Sequence, residues 1–155
     1  MSEHVILVDA NDTPIGTAEK LEAHRTGRLH RAFSAFVFND RGELLLQRRA
    51  QGKYHSGGLW SNTCCSHPAP GEETEPAARR RLMEEMGFSC PLEAVTAIVY
   101  RADVGHGLVE YEYDHLLVGR WNGRPAPDPA EAEEWRWAPM DELRDEVARH
   151  PRRFT

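Results

Sequence analysis

Residues 60–88 carry the densest group of reactive side chains in this sequence of 155 residues. Cys65 and His67 lie two positions apart in a predicted loop, and three consecutive arginines follow at 79–81. A thiol beside a histidine and arginines can favour the reactive thiolate, whereas an isolated cysteine is more often a small buried hydrophobic residue. The spacing therefore makes Cys65 a candidate catalytic thiol.

The segment after this loop has the pattern of an amphipathic helix. Thr74 is the predicted N-cap and Gly87 the predicted stop. At about 100° per residue, one buried arc is expected to contain three residues: Ala78, Leu82 and Met86. Arg81 and Glu85, four positions apart, border this arc together. A carboxylate at that border can bind a metal ion, although a solvated charged face is the ordinary alternative.

Carboxylates alternate along a predicted strand at 107–121. A period of two places Glu110, Glu112 and Asp114 on one face. Three carboxylates on one face repel one another, so this face either meets solvent or is completed by cations. Three imidazoles are candidates to complete a metal site there: His24, His30 and His67. Mixed nitrogen and oxygen ligands suit Mn²⁺ or Mg²⁺, or Zn²⁺ with an expanded shell.

The remaining five histidines are expected to be bystanders: His4, His55, His106, His115 and His150.

A set of cationic residues is a candidate for binding phosphate oxygens: Lys20, Arg49, Lys53 and Arg81. Arginine and lysine in loops at strand ends bind such oxygens well, although each residue alone is more often a surface residue. Together with a further carboxylate for Mg²⁺, these cations indicate a diphosphate ligand.

Composition indicates one globular domain in a reducing compartment. A chain of 155 residues is long enough for a single core, and a net charge of −6 argues against a nucleic-acid partner. No apolar run approaches the roughly 18 residues of a transmembrane helix, and the first residues do not form a signal peptide. Three cysteines, two of them adjacent, do not make a disulfide framework. We therefore expect a cytoplasmic protein without a membrane or nucleic-acid partner. The sequence leaves the oligomeric state open, with a monomer favoured.

The order of elements predicts an α/β fold with a mixed β-sheet and helices packed on its faces. Strands are predicted at 4–9, 16–20, 32–40, 42–49, 91–103, 107–121 and 134–140. The third and fourth of these are expected to form a β-hairpin. Segment 21–28 is interpreted as a polar connection, and Asp141 as the cap of a final helix that ends near Arg149.

The loop and the central helix together resemble a degenerate Nudix box: Ser66-x5-Glu72-x7-Arg80-Arg81-Leu82-x-Glu84-Glu85-x-Gly87-Phe88. Ser66 stands where the usual motif has glycine, and Arg81 stands where it has glutamate. Further segments, in chain order, are HRAFS, LLLQRRA, GLWSN, CSHP, GEE and VEYE. With them, the sequence resembles the type I isopentenyl-diphosphate isomerase family over essentially its whole length.

This resemblance implies a Nudix α/β/α sandwich spanning 1–155 that interconverts isopentenyl and dimethylallyl diphosphates. The residues that match the family's divalent-metal ligands are His24, His30, His67, Glu110 and Glu112. Glu85 and the Cys65 carbonyl match the ligands of a second Mg²⁺ that bridges to the diphosphate. The four cationic residues match diphosphate-binding positions. The chain is expected to lack the family's C-terminal extension, which carries a proline-tryptophan pair.

The catalytic residues implied by the resemblance are Cys65, Glu112 and Tyr100. Moving a double bond requires one proton delivered to the terminal alkene carbon and another removed from the allylic carbon, in a dry pocket. We assign protonation to Glu112, assisted by Tyr100, and deprotonation to Cys65. An aromatic face would stabilise the intermediate cation, and Trp60 is a candidate for it, with a packing role as the alternative.

Two other functions remain open. A Nudix pyrophosphohydrolase acting on a nucleoside diphosphate derivative would use Glu84 and Glu85 for Mg²⁺ and water, but Arg81 removes one ligand position from such a site. A non-catalytic ligand-binding domain would not require both Cys65 and Glu112. Isomerisation of a small diphosphate in isoprenoid biosynthesis is the interpretation that uses all of these residues.

Overall fold

The structure, a computed structural model, describes residues 3–155 of the chain. The strands of this part are β1 (His4–Val8), β2 (Pro14–Glu19), β3 (His30–Phe38), β4 (Leu44–Arg49), β5 (Trp60–Ser61), β6 (Cys64–Ser66), β7 (Leu92–Gly105), β8 (Leu108–Arg120) and β9 (Ala132–Ala138). The helices are α1 (Lys20–Thr26), α2 (Thr74–Met86) and α3 (Met140–Arg149), and a 3-10 turn follows at Pro151–Arg153. None of these helices, within the described residues, is long and apolar enough to cross a membrane.

Strand β3 is the centre of the β-sheet. It runs parallel to β8 and antiparallel to β1, β4 and β6. Strand β7 lies antiparallel beside β8, while β5 and β9 both pair antiparallel with β4. A parallel pair among antiparallel ones makes the sheet mixed, so the predicted α/β fold with a mixed sheet is confirmed.

The predicted hairpin of β3 and β4 forms only next to its turn. Phe38 pairs with Leu44, and the two strands then separate to pair with other strands. Strand β6 takes the place beside β3, with Cys65 opposite Ser34. The separation therefore brings the loop that precedes α2 into the middle of the sheet, where its side chains can reach residues of β3 and β8.

Helix α2 packs its apolar face on the sheet. Ala78, Leu82 and Met86, the predicted buried arc, are all fully buried. They belong to a core cluster that includes Phe33 and Leu117 from the two central strands. Burying a leucine or methionine side chain contributes about 1.5–3 kcal/mol to stability, so this face fixes the helix on the sheet.

The predicted caps of α2 and α3 are each displaced. Thr74 is the first residue of α2 rather than its N-cap, because the extended Glu73 accepts the first helical hydrogen bond from the amide of Ala77 at 3.1 Å. Asp141 likewise lies inside α3, and Pro139 occupies the cap position. Neither cap residue makes a side-chain hydrogen bond to its helix. The prediction that α3 ends at Arg149 is confirmed.

The interpretation of segment 21–28 as a polar connection is wrong, because helix α1 occupies most of it. Ala23 and His24 are its buried residues, and Gly27 ends it in the left-handed conformation with φ of 66°. A helix of seven residues with one apolar buried residue is too short to show a helical period in the sequence. The helix has a direct consequence for function, since it turns His24 inward.

Gly87 is a position where the fold requires glycine. Its φ is +75°, and an added Cβ would lie 2.3 Å from the carbonyl oxygen of Ala126. Gly42 has a similar φ of +73°, but an added Cβ would meet nothing within 4 Å. The two positions therefore separate backbone strain from steric overlap.

We expect Gly42→Ala to lower the free energy of unfolding by about 1–2 kcal/mol through strain alone. Gly87→Ala is expected to cost a further 1–3 kcal/mol, roughly, because the segment around Ala126 must move. Urea unfolding of the parent and both variants measures the difference. Equal losses in the two variants would contradict the close approach of the chain at Gly87.

Candidate active site

Strand register places three functional side chains in one row across the sheet. Glu112 on β8 pairs with His30 on β3 and with Tyr100 on β7. Tyr100 donates its hydroxyl proton to Oε1 of Glu112 at 2.5 Å, and His30 Nε2 lies 3.2 Å from Oε2. Both oxygens of this buried carboxylate are therefore held by neighbours in the same row.

Four of the predicted metal ligands, Glu112 among them, lie close together. One ligand atom from each residue lies within 4.8 Å of all the others, and the residues are His24, His30, His67 and Glu112. His67, from the loop after β6, places its Nε2 at 2.9 Å from Oε2 of Glu112. Helix α1, strand β3, the loop after β6 and strand β8 thus each contribute one residue.

The hydrogen bonds of His24 and His30 prepare both rings for metal binding. Their Nδ1 atoms each donate to a backbone carbonyl, of Lys20 and Arg28, at 2.8 Å. A carbonyl can only accept, so Nδ1 carries the proton and Nε2 of the neutral ring keeps a lone pair. Nε2 of the fully buried His24 has no hydrogen-bond partner among the described residues. The unpartnered Nε2 of His24 and the imidazoles beside the Glu112 carboxylate form a donor set that fits a divalent metal ion.

Burial sets the charge of this group of residues. It lowers the pKa of His24 to about 4, against the opposing hydrogen bond to the Lys20 carbonyl and with added repulsion from His67 and His30. Burial raises the pKa of Glu112, but its hydrogen bonds and charge interactions with His30 and His67 outweigh the burial and hold that pKa well below its usual range. At neutral pH the site therefore offers a neutral His24 and an ionised Glu112.

Glu110 lies outside this group of four. It forms a second group with His24 and His55, again with ligand atoms within 4.8 Å of one another. His55 was expected to be a bystander, but its buried side chain places Nε2 at 3.3 Å from Oε2 of Glu110. The spacing of residues in the sequence gives no signal for His55, because the loop at 50–59 folds back over the sheet without a periodic pattern.

The carboxylate face of β8 is turned inward. Glu112 and Asp114 are 5% and 4% exposed, which excludes the solvent-facing alternative. Ser34 donates a hydrogen bond to Oδ2 of Asp114 at 2.8 Å. Burial, together with the charges of Glu112 and Glu110, raises the pKa of Asp114 to about 7 despite this bond. Asp114 thus adds a carboxyl group that is partly protonated near neutral pH.

The side chain of Asn62 holds the thiol of Cys65. The Asn62 amide nitrogen donates to the carbonyls of Ala35 and Cys64 at 2.9 and 3.2 Å, which fixes Oδ1 towards the sulfur. Sγ of Cys65 donates to this Oδ1 at 2.9 Å and lies 3.5 Å from Oγ of Ser34. Asn62 is a positioning residue that the sequence analysis missed, although it belongs to the GLWSN segment.

The expectation that Cys65 favours the thiolate is wrong. Burial, together with the charge of Asp114, raises its pKa to about 12, so the thiol is protonated at neutral pH. The residues expected to stabilise a thiolate are engaged elsewhere. His67 is directed to Glu112, and Arg81 forms an ion pair with Glu85 at 2.8 Å.

Three of the four predicted diphosphate-binding cations surround the ring of Tyr54. Lys20, Lys53 and Arg49 lie 4.6, 5.8 and 6.0 Å from its centroid. Cations grouped around one aromatic ring repel one another, so the group favours a multiply charged anion. Tyr54 itself carried no signal in the sequence, because its role depends on where the loop places the three cations.

Arg81, the fourth cation, joins this group through Glu131. Lys53 forms an ion pair with Glu131, and Arg81 lies 3.5 Å from the same side chain. The other partners of Arg81 come from its own helix and from the loop before it. They are Ser66, Glu84 and Glu85.

Glu85 is buried and its two oxygens have different partners. Gln47 donates to Oε1 at 3.1 Å, while Arg81 donates to Oε2 at 2.8 Å. Glu85 does not belong to either histidine-containing group, so its carboxylate is separate from the candidate histidine metal site. Elsewhere in the Nudix-like segment, Arg80 donates to both oxygens of Glu72 at 2.8 Å and thereby fixes the end of the loop that precedes the helix.

The proposed reacting groups line one cavity of about 650 Å³. Its wall includes Cys65, Glu112 and Tyr100, with further aromatic residues at Tyr54 and Phe154. Trp60 is not among the residues that line this cavity. Its ring packs beside Phe154, and the guanidinium carbon of Arg136 lies 4.8 Å from the ring centroid. Of the two roles considered for Trp60, the structure therefore supports packing.

Comparison with known proteins assigns the fold and the family. The NUDIX domain family model matches residues 28–155. Isopentenyl-diphosphate Delta-isomerase 2 of Aromatoleum aromaticum is 53% identical over 100% of this chain and 82% of its own length. The isopentenyl-diphosphate Delta-isomerase of Burkholderia multivorans is 56% identical over 100% of this chain and 88% of its own. The crystal structure of DR0079 from Deinococcus radiodurans superposes with a TM-score of 0.80 at 20% identity, covering 96% of this chain and 90% of its own.

The lowered pKa of His24 predicts how stability depends on pH. Between about 4 and the ordinary value of 6.5, the folded metal-free protein binds fewer protons at His24 than the unfolded chain. The contribution of His24 to stability is therefore complete above pH 6.5 and is lost as the pH falls towards 4, by about 1–3 kcal/mol.

His24→Gln removes this titration, so its free energy of unfolding should fall less steeply between pH 6.5 and 4 than that of the parent. Urea unfolding of both proteins, prepared without metal, measures the two slopes. The exposed His150 provides the control, and His150→Gln should keep the slope of the parent. Identical slopes for parent and His24→Gln would show that His24 titrates normally.

Proposed function

Since the chain belongs to the isopentenyl-diphosphate Delta-isomerase family of Nudix-domain proteins, we propose that it converts isopentenyl diphosphate into dimethylallyl diphosphate. One observation carries this proposal beyond the family: a protonated thiol and an ionised carboxylate line the same cavity. Moving a double bond requires one group that gives a proton and another that takes one. Cys65 and Glu112 form such a pair, and each already has its required protonation state.

The diphosphate is proposed to bind to Lys20, Arg49, Lys53 and Arg81. The arrangement of three of these cations around Tyr54 supports this, because it places three positive charges within reach of one multiply charged anion. Glu85, with the backbone carbonyl of Cys65, is proposed to hold a Mg²⁺ that bridges to the diphosphate. Binding at this end leaves the hydrocarbon part of the substrate for the cavity that contains Cys65 and Glu112.

The histidine-rich group is proposed to hold Mn²⁺, Mg²⁺ or Zn²⁺. Its ligands are His24, His30, His67 and Glu112, with Glu110 beside them in the second group. When bound, the ion supplies a positive charge that keeps the Glu112 carboxylate ionised. Three imidazoles around one carboxylate favour a transition ion over Mg²⁺, which prefers oxygen ligands.

The protonation states favour a different assignment of roles from the one expected from the sequence. In the forward direction, the thiol of Cys65 donates its proton to the terminal alkene carbon, and the positive charge develops on the adjacent tertiary carbon. The carboxylate of Glu112 then takes a proton from the allylic carbon, which forms the new double bond. Tyr100 holds Glu112 in place through its 2.5 Å hydrogen bond. The roles are exchanged in the reverse reaction, and proton exchange with solvent resets both groups.

A pyrophosphohydrolase is not favoured by these observations. Such an enzyme would need Glu84 as well as Glu85 for Mg²⁺ and water, but Glu84 is paired with both Arg80 and Arg81. The full-length relatives reported above are named as isomerases.

Incubation with isopentenyl diphosphate and Mg²⁺, followed by NMR, distinguishes the two functions. Dimethylallyl diphosphate without released phosphate supports isomerisation, whereas released phosphate without the allylic product would overturn it.

The adjacent cysteines provide a matched test of the proposed acid. Cys65→Ala should lower kcat by about 10²–10⁴-fold, because it removes the proton donor. Cys64 is fully buried in the core, so Cys64→Ala should keep kcat within a few-fold of the parent and mainly lower stability. Steady-state kinetics and thermal unfolding measure both effects. Similar kinetic losses in both variants, or an active Cys65→Ala, would rule out Cys65 as the donor.

Tyr100→Phe tests the support of Glu112. The variant removes a hydrogen bond to a charged group, worth about 1.5–3 kcal/mol, so kcat should fall by about 10–100-fold. KM should change little, because the cationic residues are untouched. Tyr111 lies on β8 next to Glu112 and faces the other side of the sheet, so Tyr111→Phe is the control. A Tyr100→Phe enzyme with the kcat of the parent would remove Tyr100 from the mechanism.

A further inference from the structure

His55 has a fixed and buried position beside the proposed metal site. Its side chain is 5% exposed, and its Nδ1 lies 2.9 Å from the hydroxyl oxygen of Ser56. The ring packs edge-on against Tyr54, with 4.4 Å between centroids. Its backbone carbonyl accepts two hydrogen bonds from Arg49, at 3.1 and 3.3 Å. These contacts from three neighbours leave only the Nε2 side of the ring free to bind something else.

Nε2 of His55 has the surroundings of a metal ligand. It is buried without a hydrogen-bond partner among the described residues, although Oε2 of Glu110 lies 3.3 Å away. The Ser56 hydroxyl oxygen can accept a hydrogen bond from the Nδ1–H group of the neutral ring, which leaves a lone pair on Nε2. Two ligand atoms bound to one ion at about 2.0–2.2 Å and at a right angle lie about 3 Å apart. The spacing of His55 and Glu110 is close to this value.

His24 connects this pair to the other ligands. Its own Nε2 is also buried and unpartnered within the described part of the chain, and a ring nitrogen of His24 lies within 4.8 Å of the ligand atoms of His55 and Glu110. The same His24 belongs to the group with His30, His67 and Glu112. Two unpartnered imidazole nitrogens therefore converge where the two groups meet.

We propose that His55 is an additional ligand of the ion in the histidine-rich site and binds it through Nε2 together with Glu110 and His24. The ion then has four imidazoles and two carboxylates as its available donors. Such a nitrogen-rich set selects a divalent transition ion over Mg²⁺, which keeps water and oxygen ligands. This inference rests on the proposed function only in taking the histidine-rich group as a metal site.

Titration of the metal-free protein with Co²⁺ tests the proposal by spectroscopy. His55→Ala should weaken Co²⁺ binding by at least about tenfold and alter the visible absorption of the bound ion. It should also remove one hyperfine-shifted imidazole N–H signal from the NMR spectrum of the Co²⁺ protein. His55→Gln fills the space of the ring better and should show the same losses. His150→Ala changes an exposed histidine and should leave all three measurements as in the parent.

Parent-like affinity and absorption in both His55 variants would overturn the inference, as would a parent protein that does not bind Co²⁺. Competition with Mg²⁺ provides the selectivity measurement: the parent should prefer Co²⁺ by a larger factor than either His55 variant. A parent that binds Co²⁺ as expected but does not isomerise isopentenyl diphosphate would contradict the proposed function and leave the role of His55 intact.

Discussion

The buried carboxylate of Glu112 is the constraint on which the rest of the site depends. A buried negative charge is costly unless neighbours compensate it, and here Tyr100, His30 and His67 do so. Tyr100 and His30 reach Glu112 because β7 and β3 flank β8 in one register. A shift by one residue would turn Glu112 to the opposite face of the sheet. The register of three strands is therefore also the geometry of the proposed metal and proton-transfer site.

Charge is divided between two regions around this row. The cationic residues gather around Tyr54, where they suit an anionic diphosphate. Cys65 lies among neutral partners and a partly protonated Asp114, so its thiol keeps its proton. Arg81 forms its ion pairs with Glu84 and Glu85 of α2, and the hydrogen bonds of the thiol are with Ser34 and Asn62 instead. A scaffold shared with DR0079 at 20% identity thus carries chemistry that depends on the local partners of a few side chains.

The order of elements in the sequence was enough to predict the mixed sheet. Periodic patterns were enough to predict the buried arc of α2 and the shared face of Glu110, Glu112 and Asp114, because both follow from geometry that repeats within one element, such as the period of two along β8. Helix α1 was missed because its seven residues contain too little apolar pattern. The caps of α2 and α3 were misplaced because their first turns are closed by backbone hydrogen bonds rather than by side chains.

The sequence by itself determined which residue types are available: a thiol, paired carboxylates, histidines and a set of cations in a chain that resembles a known family. Only the tertiary structure decided which of them meet. It brought His55 beside Glu110, turned Trp60 into a packing residue and left Cys65 protonated. The physical reason is that pKa values and ligand geometry depend on burial and on contacts between residues far apart in the chain, such as His30 and Glu112. Sequence patterns record only local periodicity.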